Sequence, residues 1–140
     1  MTYGSLKNLT TGLLIGDNIL PKDDAVVKAL LMYAFNMIAD KAESLHLLTL
    51  SKKEDIYRFA TGEFLMRLPK LPEDDDDELD IDEELCYVAA RYIAAMISKE
   101  RSEIHQQFGD DGILKYNGKV YQILETLTKV PSNGVNNEYK

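Results

Sequence analysis

The chain has 140 residues, 45% of them apolar and 29% charged, with a net charge of −8. That length and balance suit one globular domain with a core of its own and exclude general disorder. The negative charge excludes DNA binding by phosphate neutralisation, which needs clustered Lys and Arg, and a single cysteine, Cys86, excludes an internal disulfide.

Residues 1 to about 20, MTYGSLKNLTTGLLIGDNIL, are rich in Gly, Thr and Asn and hold no sustained period. They read as an arm, extended or partly stranded, that docks on something else rather than forming a core. Pro21, Asp23 and Asp24 then supply a helix start, with a fixed φ, a capping carboxylate and negative charge at the positive end of the dipole. Val27, Leu30, Leu31, Ala34, Ile38, Ala42 and Leu45 follow at spacings of three and four, which predicts a helix of about six turns.

The next stretch changes character. Ser51 and Glu54 have capping-box spacing, and beyond them Thr61-Gly62 suits a two-residue hairpin turn. Folding there sets Phe59 opposite Phe64 and Tyr57 opposite Met66, with Leu68 on the same side and Arg58, Glu63 and Arg67 on the other. Strand side chains alternate, so this sorting favours a β-hairpin at about 56–68. A helix continued from Ser51 is the competing assignment.

An acidic link at about 70–80 comes next, its carboxylates belonging to EDDDDELDIDEE at 73–84. A calcium loop would need a glycine at its tight turn, and no Gly lies between Gly62 and Gly109. Asp80 and Glu83 instead have capping-box spacing for a helix starting near Ile81, with Asp82, Glu83 and Glu84 in its first turn. The aspartates 74–77 would repel one another into an extended, hydrated link. The helix itself carries Ile81, Leu85, Val88, Ala89, Tyr92, Ile93, Met96 and Ile97 on one stripe, which Ile104 and Phe108 extend. GDDG at 109–112 reads as the break between antiparallel helices. Ile113, Tyr116, Val120, Ile123, Leu124 and Leu127 fit a further helix, against which Asn117-Gly118 stands as a hairpin signal. Pro131 ends it, and 130–140 is a polar tail bearing Tyr139.

Chemistry-bearing patterns are missing from this sequence. His46 lies in an apolar setting and His105 on the expected polar side of its helix, and neither has metal-ligand spacing to other donors. Cys86 is preceded by acidic residues, which raise a thiol pKa. There is no Gly-rich phosphate loop, GxSxG or HExxH. No apolar run approaches the roughly 18 residues that span a bilayer, so no membrane segment is expected. The reading is therefore of no enzyme, no cofactor and no metal, with tyrosines toward the two ends suited to half-buried contacts.

The fold class expected is mainly α: an antiparallel bundle of about three long helices over 21–129, a small β-hairpin insertion, and extended arms at 1–20 and 130–140. This order of parts, with DAVVKALLMYAFNMIADKAESLHLLTL, then IYRFATGEFLMRLP, then DEELCYVAARYIAAMIS and YNGKVYQIL, resembles the head-to-tail adaptor (head completion or connector) proteins of tailed bacteriophages. The resemblance implies a structural virion protein at the head–tail interface, present in the host cytoplasm during assembly. It implies a homo-oligomeric ring, commonly of twelve copies, below a portal protein. It also implies contact with tail or nozzle proteins, and DNA passing through the channel without specific binding. Interface residues under this reading are Tyr3, Leu6, Tyr57, Phe59, Phe64, Met66 and Tyr139. The acidic link motivates a different reading, a stand-alone acidic interaction protein that imitates DNA charge to occupy a basic groove.

Overall fold

A computed structural model of the chain describes residues 1–47 and 69–128. The expected hairpin at 56–68, with Tyr57, Phe59, Phe64 and Met66, and the tail with Tyr139 lie outside the described residues. Within them the chain is mainly helical, with four α-helices: α1 (Tyr3–Leu13), α2 (Asp24–Lys41), α3 (Glu83–Ile97) and α4 (Ser102–Thr128).

α3 is the centre. Its sequence EELCYVAARYIAAMI is apolar on most sides, and Leu85, Cys86, Val88, Ala89, Ala90, Tyr92, Ile93, Ala94 and Ala95 are all buried. A helix that is hydrophobic nearly all round must be covered nearly all round. α1, α2 and α4 each pack against it and share one continuous core with it.

α4 covers the longest strip. Contacts run in opposite order along the two helices, from Tyr92 with Asp110, through Val88 with Gly112, to Glu84 with Lys119, so the pair is antiparallel. The expected break at GDDG is corrected here, because α4 runs unbroken through 109–112. Those glycines serve close approach. A Cβ on Gly109 would sit 2.5 Å from Tyr92 Cε1, and one on Gly112 would sit 2.7 Å from Val88 Cγ2. The actual turn is at 98–101, where the Ser98 N–H donates to Ala94 O at 2.8 Å and Ser102 Oγ donates to Ala95 O at 2.8 Å. The segment around Asn117-Gly118 is helical, as its longer period predicts.

The expected extended arm at 1–20 is also corrected. Residues 3–13 form α1, capped by Thr2, whose side chain accepts from Ser5 N at 3.1 Å. Tyr3, Leu6 and Thr10 face inward and are buried, and Thr10 satisfies its hydroxyl by donating to Leu6 O. Gly16, at φ +66°, supplies the left-handed residue that turns the chain after α1. α2 starts as expected, with Asp23 as N-cap accepting from Ala25 N at 3.0 Å, but it ends at Lys41, and Leu45 reaches the core from the loop beyond.

α3 starts at Glu83 with Asp82 at its N-cap, so the expected capping box of Asp80 with Glu83 is not formed. Asp82 faces elsewhere: its carboxylate accepts from Leu47 N and from the Tyr116 hydroxyl, while its own N–H donates to Leu45 O at 3.1 Å. One aspartate thus joins the chain after α2, the start of α3 and the middle of α4. Three positions assigned to the α3 stripe lie on the surface instead: Met96, Ile104 and Phe108 are 38%, 47% and 53% exposed. The chain turns before Ile104, so the helical period cannot be carried across 98–101.

Two glycine substitutions separate these roles. Gly109→Ala drives a methyl into the buried Tyr92 ring and is expected to lower stability by about 1–3 kcal/mol. Gly118→Ala, which meets nothing within 4 Å, is expected to raise stability by up to about 1 kcal/mol through helix propensity. Urea unfolding of the two variants beside the parent chain measures both signs.

Candidate functional site

The acidic link is a collar around the start of α1. Tyr3 N donates to Asp77 O and Gly4 N to Asp75 O, both at 2.9 Å, and Leu79 N donates to Met1 O at 2.9 Å. The first backbone donors of α1, which have no partners inside the helix, are thereby satisfied by the link's carbonyls. A Cβ on Gly4 would lie 3.2 Å from Asp75 O, so the glycine permits this approach. The link folds on itself as well, with the Asp77 carboxylate accepting from Glu73 N at 2.8 Å and Asp74 N at 2.9 Å. Those backbone bonds, first from Asp74 and then from Glu73, hold the Asp77 carboxyl below its ordinary range. The expected repulsion into an extended link is thus overridden at this end by backbone donors and cations.

Cations complete the collar. The Met1 α-amino group lies 2.6 Å from Glu83 Oε1 and 3.1 Å from Glu78 Oε1, and its pKa is pushed up to about 10, led by the Glu83 hydrogen bond. Lys7 bridges Asp75 at 2.8 Å and Asp24 at 3.3 Å. Tyr3 lies beneath, fully buried, with its hydroxyl donating to Asp24 Oδ1 at 2.8 Å and Lys7 Nζ 4.5 Å above its ring. Burial first, and the hydrogen bond to Asp24 next, raise the Tyr3 phenol, and that same bond is the main cause that lowers the Asp24 carboxyl.

Tyr3 and Leu6, expected as interface residues under the adaptor resemblance, are buried in the core of this chain, both 0% exposed. Among the described residues no three His, Cys, Asp or Glu side chains gather to hold a metal, and no helix is long and apolar enough to cross a membrane. Burial pushes the Cys86 thiol up to about 12.

His105 is buried rather than polar-facing. It is 4% exposed, its Nδ1 lies 3.1 Å from Arg91 Nη1, and its Nε2 has no partner among the described residues. A guanidinium can only donate, so Nδ1 accepts and the ring is neutral. Burial, followed by the charges of Arg91 and Arg101, lowers its pKa. Arg91 also lies over the Phe108 ring at 4.5 Å and faces a groove of about 240 Å³ lined by Leu9, Leu13, Glu84, Tyr87, Val88, Phe108 and Gly112. The exposed aromatics Tyr33, Tyr87 and Phe108, at 63%, 51% and 53%, are the surface features that the end-weighted tyrosine reading misses.

Comparison with protein-family models, with curated proteins and with solved structures finds no match to this chain.

Two outcomes follow. Tyr3→Phe keeps the ring but loses the bond to Asp24, an expected loss of about 1 kcal/mol, whereas Tyr3→Ala empties the space under α1 and is expected to lose about 3–5 kcal/mol; chemical denaturation compares them. For His105 the folded pKa lies below the ordinary 6.5, so as pH falls the unfolded chain takes the proton first and stability drops from about pH 6.5 downward. The depressed carboxyls of Asp24 and Asp77 act only below their ordinary 3.8. Urea midpoints at pH 7.5 and pH 5 are expected to differ in the parent chain, and that difference is expected to shrink in His105→Gln.

Proposed function

We propose that this chain is a structural, non-enzymatic adaptor of a tailed-phage virion. In this reading copies of it form an antiparallel-bundle ring, most simply of twelve, between a portal protein and tail or nozzle proteins. DNA passes through the ring without specific binding, and the chain needs no cofactor. It resides in the host cytoplasm until assembly and in the virion afterwards. The observation that carries the reading is a helical body with large aromatics left on its surface: Tyr33, Tyr87 and Phe108 stand half or more exposed. Exposed aromatics with arginine nearby are what partner-binding surfaces use. The layout of helices on either side of the acidic link also supports it.

The acidic-decoy reading draws on Asp74 and Asp76, which are exposed. It is weakened by the collar, because Asp75, Asp77, Glu78 and Glu83 are engaged within the chain. A decoy needs its charges free to face a basic groove.

Sedimentation with purified portal separates the two. The adaptor is expected mainly as a monomer at micromolar concentration and as a ring that co-sediments once portal is added, with assembly surviving Asp74→Ser together with Asp76→Ser. Absence of a portal complex overturns the adaptor reading. Tight binding to a basic target that the double substitution abolishes establishes the decoy instead.

A further inference from the structure

α2 carries two apolar faces. Val27, Leu31, Ala34, Phe35 and Ile38 form the buried one. On another side Val26, Leu30, Tyr33 and Met37 recur at steps of four, three and four, which aligns them in a second stripe. Val26 and Tyr33 are 44% and 63% exposed, and Leu30 and Met37 are partly buried at its edge. Asp40 continues the stripe one step further; it is exposed and has no ion-pair partner among the described residues.

The groove between α1 and α4 is the opposite kind of surface. Leu9, Leu13, Val88 and Gly112 line it with the aromatics Tyr87 and Phe108, and the charged side chains at its border are Arg91 and Glu84. Arg91 has no carboxylate partner among the described residues: one of its nitrogens meets His105 and its plane lies on Phe108. In a chain of net charge −8, an arginine left without a carboxylate beside apolar surface is a site for an incoming acid.

We infer that the groove of one copy receives the α2 stripe of a second copy, with Tyr33 seated among Leu9, Leu13, Tyr87 and Phe108, and Asp40 brought to Arg91. The occupant follows from complementarity. The stripe is a convex apolar ridge ending in an anion without an ion-pair partner among the described residues, and the groove is a concave, largely apolar slot bordered by Arg91. The groove's own carboxylate, Glu84, is already paired with Lys119. Both sit on every copy, so the contact joins two different faces and is head-to-tail; such contacts propagate until they close into a ring or run on as a filament. The choice of a second copy as occupant rests on the ring reading above.

Sedimentation velocity of the full chain up to about 1 mM, the range where a single modest contact is half formed, tests this. The parent chain is expected to grow past dimer as concentration rises. Tyr33→Arg disables the ridge and Tyr87→Arg the slot. Each alone is expected to weaken association about tenfold or more, while both stay folded by circular dichroism because the replaced side chains are on the surface. Mixed in equal amounts, they are expected to form a dimer and nothing larger, since the pair retains one intact ridge and one intact slot. Asp40→Arg is expected to weaken association, and adding Arg91→Glu in the same chain to restore it. A parent chain that stays monomeric at 1 mM, a mixture that fails to dimerise, or association indifferent to all four changes overturns the inference. None of those results touches portal binding, which the portal experiment reads separately. Conversely, loss of portal binding with the mixed dimer intact removes the phage reading and leaves the contact.

Discussion

The constraint on which the rest depends is the covering of α3. A segment in which Leu85, Cys86, Ala89, Ala90, Tyr92 and Ala94 are all fully buried has no stable existence at a surface. Its alanines leave room for neighbours to come close, and α4 reciprocates with Gly109 and Gly112 where it meets Tyr92 and Val88. The Tyr92 hydroxyl, buried by that contact, donates to Asp110 at 2.5 Å, one residue from the glycine that admits the ring. Lys41 reaches the same carboxylate at 2.8 Å from the end of α2. Packing and polar satisfaction are solved together at one place, and three helices are joined by it.

The second closure is at the other end. α1 has weak helical credentials of its own, and a helix of 11 residues is marginal without tertiary support. It is held because Tyr3 and Leu6 enter the core and because the acidic link supplies carbonyls and carboxylates to its positive end. The crowd of like charge between α2 and α3 is thereby explained without a ligand. Its backbone caps α1, and several of its side chains neutralise Met1 and Lys7. The carboxylates of Asp74 and Asp76 remain in water.

Elements with a long uninterrupted period were legible from the sequence, and α2 and α3 are such elements, Asp23 capping included. α1 was not, because Gly4, Gly12 and the Thr10-Thr11 pair lower its propensity, and its burial is decided by a link some seventy residues away in the chain. The turn between α3 and α4 was misplaced for a related reason. Glycine marks both turns and tight helix contacts, and Gly109 and Gly112 are the second kind, whereas the true turn at 98–101 holds neither Gly nor Pro. His105 could not be assigned to the interior from its polar neighbours. The exposed stripe of α2 was legible in its spacing of four, three and four, but the stronger buried period on the same helix masks it.

The chain has no tryptophan, so its ultraviolet signature belongs to tyrosine. Tyr3, Tyr92 and Tyr116 are each buried with the phenol oxygen donating to an aspartate. For Tyr3 and Tyr92, burial and then the neighbouring carboxylate hold the phenol protonated well beyond its usual range. The share of phenolate absorbance that belongs to Tyr3 and Tyr92 is then gated, in strong alkali, by opening of the helical body at α1 and at the α3–α4 contact. The molecule carries built-in chromophores at both of its closures.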